Sequence, residues 1–417
     1  MSTNRADHRR VSVADLGRAE LAGRRVFVRV DFNVPLDPDG IADDTRIRAA
    51  LPTVRHLVKN SARVILASHL GRPKGKVVAE LSLAPVARRL GELVGRPVIT
   101  VGDCVGPRVE AAVEALKPGD ILLLENLRFH PGEEAGDEGF AQALARLADI
   151  YVNDAFGAAH RAHASTAVMA RFVERAVAGL LMKAELENLG RLLDDPARPF
   201  VTVLGGAKVS DKLGVIRHLL ERVDTLILGG GMANTFLLAQ GRAMGDSLVE
   251  PDLVKEALAV LGEAETLGKE LLLPVDLVVA RDFSADAERR VEGRPEVTDG
   301  WRAMDIGPRS AERFGDIIRR AGSVFWNGPV GVFEFEPFMA GTEAVARAVA
   351  DCPGMTVVGG GDSAAALARL GLADRVTHLS TGGGASLEFM EGRTLPGVAC
   401  LERAADVREG ARQTEES

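Results

Sequence analysis

The chain has 417 residues, more than the about 100 to 200 that one domain usually holds, so two domains are expected. With 46% hydrophobic and 26% charged residues it can bury a sizeable core, yet no apolar run is long enough to cross a bilayer. A net charge of −8 argues against broad nucleic-acid binding and would repel an anionic ligand unless cations are gathered locally.

The N-terminus, Met1 to Arg10, is polar and lacks the apolar stretch of a signal peptide, so a cytosolic location is expected. Cys104, Cys352 and Cys400 are too far apart for a disulfide framework or a zinc ribbon, which fits a reducing compartment.

Strand-like runs follow at Arg25 to Val30, Arg63 to Ala67, Ile121 to Leu124 and Asp149 to Val152, each leading into helical or loop sequence. Their ends carry charged and polar residues: Asp31 and Asn33, His69 and Arg72, Arg128 and His130, then Asn153, Asp154 and Arg161. Ligands of open α/β sheets bind beyond the carboxyl ends of the strands, so these positions predict a cationic basin with a few acids. His160 and His163 stand near one another, but no further ligand set accompanies them and a metal pair is not expected. Arg46, in Asp43-Asp44-Thr45-Arg46-Ile47-Arg48, reads by itself as a surface arginine.

Lys183 to Leu193 has helical spacing and ends at Asp194-Asp195-Pro196; it reads as a linker before a second domain that begins near Phe200. From there apolar runs end repeatedly in glycine, at Val203-Leu204-Gly205-Gly206, Leu226-Ile227-Leu228-Gly229-Gly230-Gly231, Val357-Val358-Gly359-Gly360-Gly361 and Leu379-Ser380-Thr381-Gly382-Gly383-Gly384. Helix-period segments at Leu213 to Val223, Pro251 to Leu267, Ser310 to Ala321 and Ala340 to Ala350 separate them, which predicts βαβ units and a doubly wound parallel sheet. Glycine after a strand lets backbone N–H groups approach a ligand, and the following helix adds its positive end; the expected ligand is a phosphate. Yet Gly71 to Val77 has the wrong spacing for a P-loop, and no Gly-x-Gly-x-x-Gly opens at Gly205 or Gly229.

Lys208 and Lys212 would share one face at a phosphate-attracting helix end if a helix starts near Lys208; otherwise they are a solvated pair. Asp362 is either a helix N-cap or a magnesium ligand beside nucleotide phosphates, and the two roles can coexist. In Trp326-Asn327-Gly328-Pro329-Val330-Gly331-Val332-Phe333-Glu334 no packing requirement accounts for the polar and conformationally special residues, so the stretch is assigned to a site and not to a core.

Arg29 to Pro35, Ser68 to Pro73, Glu125 to His130, Asp154 to Gly157 with His160 to His163, Gly205 to Lys212, Trp326 to Glu334, Gly359 to Ser363 and Ser380 to Ser386 together resemble phosphoglycerate kinase, in order, from about residue 11 to about residue 400. The resemblance implies two doubly wound, Rossmann-like domains facing across a cleft: 1–182 for 3-phosphoglycerate or 1,3-bisphosphoglycerate, a linker at 183–199, and 200–401 for Mg-ADP or Mg-ATP. The tail at 402–417 either frays or packs on the first domain. Asp31, Asn33, His69, Arg72, Arg128 and Arg161 would contact the glycerate and its non-transferred phosphate, with Phe32, Leu70 and Gly71 among them. Arg46 would reach the phosphoryl group in transit, forming a catalytic set with Lys208, Gly360 and Gly383. Lys212, Gly361 and Ser363 would help to hold the nucleotide phosphates, Asp362 the Mg2+, and Glu334 the ribose. Asn327, Pro329 and Ala303 would shape the nucleotide pocket. The family also implies a cytoplasmic monomer whose halves close for chemistry, acting on no nucleic acid and no membrane. Leu81, Ala158 and Ala303 depart from its pattern, standing where an aromatic, Thr and Gly are usual. The rival readings are a non-catalytic nucleotide-binding scaffold and a dinucleotide dehydrogenase.

Overall fold

The computed structural model describes residues 11–38 and 40–401, so the 402–417 tail lies outside the described residues. By its contacts the chain divides into two units. One runs to Glu187 and resumes at Thr394; the other is Asn188–Arg393.

The first unit is built on a six-stranded parallel sheet. In spatial order its strands are Ile99–Thr100, Ile121–Leu123, Arg63–Ala67, Arg25–Val30, Ile150–Asp154 and Ala176–Ala178. Nearly every residue of the central strands is buried, as strands covered by helices on both faces require, and this is why they read as unbroken apolar runs. Thr45–Lys59 and Ala84–Val94 supply helical cover, and Val26, Val28, Val54, Leu57, Val64 and Leu90 share one core. The chain returns to this unit at its end: the Asn153 side-chain amide donates to Gly397 O at 2.8 Å, Gly397 N donates to Ala159 O at 2.8 Å, and Leu395 and Val398 are buried.

The second unit has its own six-stranded parallel sheet, in the order Glu270–Leu272, Thr225–Leu228, Phe200–Leu204, Ser323–Asn327, Met355–Gly359 and His378–Leu379. Numbered along the chain this order is 3-2-1-4-5-6, so the direction of winding switches between Phe200–Leu204 and Ser323–Asn327. The doubly wound reading is correct in both units. The helical segments also form, as Leu213–Leu220, Val254–Thr266, Pro308–Arg319 and Ala340–Asp351.

Two features depart from the expectations. Trp326 and Val330 are buried in the core of this unit beside Phe314, Ile318 and Val345, so the Trp326 to Glu334 stretch is partly core. A three-stranded antiparallel sheet, with Leu277–Ala280 between Arg289–Glu292 and Arg302–Ile306, interrupts the βα rhythm. It carries its own small core of Met244, Leu277, Val279, Val297 and Trp301, and Arg281 and Arg290 lie over the Trp301 ring at 4.5 and 4.0 Å.

Candidate active site

In the first unit the strand-end residues converge. Arg46, in the first turn of Thr45–Lys59, donates to Asp31 Oδ2 at 2.9 Å, which makes it more than a surface arginine. Asp31 Oδ1 accepts from the Asn33 N–H at 3.1 Å and lies 4.0 Å from His69 Nδ1. The Asn33 side chain accepts from Gly71 N at 2.8 Å, and Arg128 donates to Gly71 O at 2.7 Å. One web of contacts thus ties the ends of three neighbouring strands together. Phe32 and Leu70 point their side chains into the core, so what they offer a ligand is backbone. Arg72 follows Gly71 on the surface, and Arg161 is half-buried and donates to His160 Nε2 at 3.1 Å.

Arg29, whose contribution the sequence reading did not isolate, is the buried anchor of this web. Its guanidinium donates to Ser165 Oγ at 2.8 Å and faces His69 Nδ1 at 3.2 Å, with Glu133 at 3.9 Å. A guanidinium can only donate, so His69 accepts at Nδ1 and carries its proton on Nε2. Burial pushes His69 well below its ordinary 6.5; Asp31 opposes this, and Arg29, Arg128 and Arg161 add to it. At neutral pH the ring is an uncharged N–H donor. Burial alone would raise Asp31, but Arg46, Arg29, the Asn33 N–H and, in its protonated form, His69 outweigh it and the carboxyl is held down. The basin therefore combines fixed guanidinium charge, the neutral His69 donor and the Asp31 carboxylate, with Glu133 and Glu134 paired to Arg29 and Arg128, a set that suits an anion also carrying a hydroxyl.

The second site lies at the switch point of the other sheet. Gly205 and Gly206 donate their N–H groups to Asn327 O at 3.0 Å and Pro329 O at 2.9 Å, so two strand-end loops run in contact. A Cβ on Gly205 would lie 2.0 Å from Pro329 O, which only glycine avoids. Beside them opens a cavity of about 630 Å³, within the range of small-ligand sites, lined by Gly206, Gly230, Leu277, Phe283, Ala303, Pro329, Glu334 and Asp362 among others. Its polar and apolar walls sit on different elements. Ala303 and Leu277 come from the antiparallel sheet, and Asp362 from the first turn of Gly361–Arg369.

The two lysines separate. The helix starts at Leu213, not near Lys208, so they share no helical face. Lys212 is buried and donates to Gly205 O, Asn327 O and Asn327 Oδ1 at 2.6, 2.8 and 2.8 Å. Burial lowers its pKa to about 8 against the pull of Asp362 and Asp211. Lys208 is exposed on a turn that Glu250 braces, accepting from Val209 N, Ser210 N and Ser210 Oγ. The N-cap reading of Asp362 is also overturned: Gly360, at φ +89°, caps this helix, and the carboxylate stands exposed one position inside it. Ser363 is buried and accepts from Gly328 N at 2.6 Å, locking the loop after the central strand. Gly383 precedes the short helix Gly384–Met390 at the edge of the sheet and is not part of the cavity wall.

Two buried donors at this site lack a partner among the described residues, Arg302 Nε in the cavity wall and the Asn327 side-chain amide nitrogen. The Asn327 amide faces Gly359 and Gly360, where a Cβ would come within 3.1 and 3.3 Å of it. A buried unpaired amide beside a helix N-terminus is what an anionic oxygen would satisfy. Asp362, one of three exposed carboxylates lining the cavity with Asp246 and Glu334, also fits Mg2+, which is commonly held by one or two carboxylates together with substrate phosphates.

Asp305 escaped the sequence reading altogether. It is buried in the cavity wall, its carboxylate accepts from Gly341 N and Ile306 N at 2.8 Å each, and burial raises its pKa to about 7. Nothing in Met304-Asp305-Ile306 separates this aspartate from an ordinary strand-end acid, because its partner Gly341 is remote in sequence.

Comparison with known proteins gives one answer. A family model described as phosphoglycerate kinase matches residues 15–393. The curated phosphoglycerate kinase of Moorella thermoacetica is 62% identical over 382 residues, covering 92% of this chain and 97% of that protein. That of Roseiflexus castenholzii is 59% identical over 385 residues, with 92% and 97% covered. Among solved structures, phosphoglycerate kinase from Coxiella burnetii is similar at a TM-score of 0.86 and 42% identity over 94% of this chain and 99% of that one. The enzyme from Pyrococcus horikoshii OT3 is similar at 0.83 and 34%, with 95% and 99% covered.

Proposed function

The chain belongs to the phosphoglycerate kinase family, kinases of glycolysis, and from that premise we propose how its residues divide the work. The reaction moves the acyl phosphate of 1,3-bisphosphoglycerate to ADP. An oxygen of the ADP β-phosphate forms a bond to phosphorus as the bond from phosphorus to the carboxylate oxygen breaks, leaving 3-phosphoglycerate and ATP. Charge spreads over the migrating oxygens, so catalysis rests on positioning and on donors fixed in advance. No nucleophilic side chain is required, and no comparison supports the scaffold or dehydrogenase alternatives.

Arg128, Arg161 and Arg72 hold the non-transferred phosphate in this reading. Asp31, Asn33 and the Nε2–H of His69 orient the glycerate. Arg46, placed by Asp31, turns its fork to the phosphoryl group in transit. The observation that carries the assignment is the web from Asp31 to Arg46 and His69, which fixes a cation and a neutral donor around one carboxylate. On the nucleotide side the Gly360 and Gly361 amides, Asn327 Nδ2 and Lys208 receive phosphate oxygens, Glu334 the ribose, and Ala303, Pro329 and Leu277 the base. Lys212 acts from behind, holding Gly205 against Asn327, with Ser363 holding Gly328. When bound, Mg2+ would be held by Asp362 and would neutralise nucleotide phosphate charge.

No helix among the described residues is long and apolar enough to cross a membrane. A cytoplasmic monomer is the form proposed. A coupled assay for ATP formation from 1,3-bisphosphoglycerate and ADP tests the reading, and nucleotide binding without turnover would return it to the scaffold alternative.

A further inference from the structure

Away from the basin, at the edge of the first unit's sheet, Asp103, Cys104 and His130 bring a carboxylate oxygen, a sulfur and an imidazole nitrogen within 4.8 Å of one another. The three come from two loops that the transfer chemistry does not use. Asp103 and Cys104 follow the edge strand Ile99–Thr100; His130 closes the turn Leu127–Phe129 and caps Pro131–Ala135. Each donor is held in place. The His130 ring stacks on Phe140 with centroids 4.8 Å apart, its Nε2 lies 2.6 Å from Asp103 Oδ1, and Cys104 N donates to the same oxygen at 2.6 Å. The Cys104 thiol is 1% exposed and donates to Glu125 O at 2.9 Å.

We propose that Asp103, Cys104 and His130 form a binding site for a borderline-soft divalent cation of the zinc class. The donor set decides the class. Thiolate with imidazole favours zinc-like ions over magnesium or calcium, and three protein ligands leave a fourth position of a tetrahedron for water. On binding, the thiol proton leaves to solvent, the imidazole proton passes from Nε2 to Nδ1, and sulfur, Nε2 and oxygen each form one coordinate bond. Metal–ligand bonds of about 2.0 to 2.3 Å need the Asp103 and His130 donors to move slightly apart. The Asp103 side chain, 54% exposed, has the room to do so. A bare ion pair between His130 and Asp103 would use two of the three groups and make no use of the sulfur.

The test is a titration of the purified, metal-free protein with Co2+, a spectroscopic stand-in for Zn2+. The site predicts one equivalent bound, a sulfur-to-cobalt charge-transfer band in the near ultraviolet, and displacement by Zn2+ but not by Mg2+. Cys104→Ser removes the band. His130→Gln, at a partly exposed position where folding is checked by circular dichroism, weakens binding by about 10-fold or more. A protein that gives no such band holds only an ion pair here. A band that survives both substitutions places the cation on another cysteine, and either result overturns the proposal.

Discussion

The two sites handle negative charge by opposite means. The first gathers charged side chains at the ends of neighbouring strands, and they orient one another through Asp31, Asn33 and Arg29. The second relies on backbone: glycine loops pressed together, helix N-termini, and a lysine spent on holding those loops. A side-chain site tolerates conservative change with a graded loss of rate, whereas a backbone site has no spare room. The contrast can be broken or sharpened by substitution.

The largest effect is expected for Gly205→Ala, since the new Cβ would meet Pro329 O at 2.0 Å and Gly328 O at 2.6 Å. The second unit should lose about 3 kcal/mol or more in urea unfolding, together with nucleotide binding. Calorimetry should still find 3-phosphoglycerate binding; its loss would deny that the two sites are built independently. Arg46→Lys comes next. The charge stays but the planar fork that bonds Asp31 and the phosphoryl group is lost, so kcat should fall about 100-fold with ADP affinity nearly unchanged. Retention of most of the kcat would remove Arg46 from the reacting centre.

Asp362→Asn is expected to be milder. It should weaken Mg-ADP binding by about 10-fold and raise the magnesium requirement while leaving 3-phosphoglycerate binding as it was. Identical magnesium titrations in the two proteins would exclude a metal role. The smallest effect is the pH response of Asp305. Its folded pKa of about 7 lies above the ordinary 3.8, so the folded protein holds the extra proton between these values. Its contribution to stability is therefore fully present below pH 3.8 and is lost as pH rises through about 7. Asp154, raised to about 6, acts in the same sense in the first unit. The urea midpoint of the second unit should drop between pH 5 and 8, and Asp305→Asn should flatten that slope; an unchanged slope would mean the carboxylate is ionised throughout.

Sequence revealed the side-chain site better than its supports. Asp31, His69 and Arg128 were visible because each follows an apolar run, a local pattern. The parallel sheets were visible for the same reason. What stayed hidden depends on distant partners: Arg29 on Ser165, Asp305 on Gly341, and Glu250 on the Val209–Ser210 turn. Lys212 was placed on one helix face with Lys208 because the start of that helix was set too early. Burial by Gly205 and Asn327 makes it a brace. The Trp326 stretch misled by its composition, since the indole N–H is satisfied by Gly328 O at 2.8 Å and the ring can stay in the core.

The return of the chain to its first unit bears on how the protein is made. Asn153 and Ala159 wait for Gly397, which leaves the ribosome about 210 residues after Glu187. At about 5 to 20 residues per second that delay is about 10 to 40 s. Throughout it a nascent first unit keeps a fully buried position, Asn153, with Thr166 O but short of the second of its two carbonyl partners, while the second unit is translated. Synthesis order and folding order therefore cross: the unit begun first is completed last, and a chain cut between Arg393 and Gly397 carries a complete second unit joined to an unfinished first.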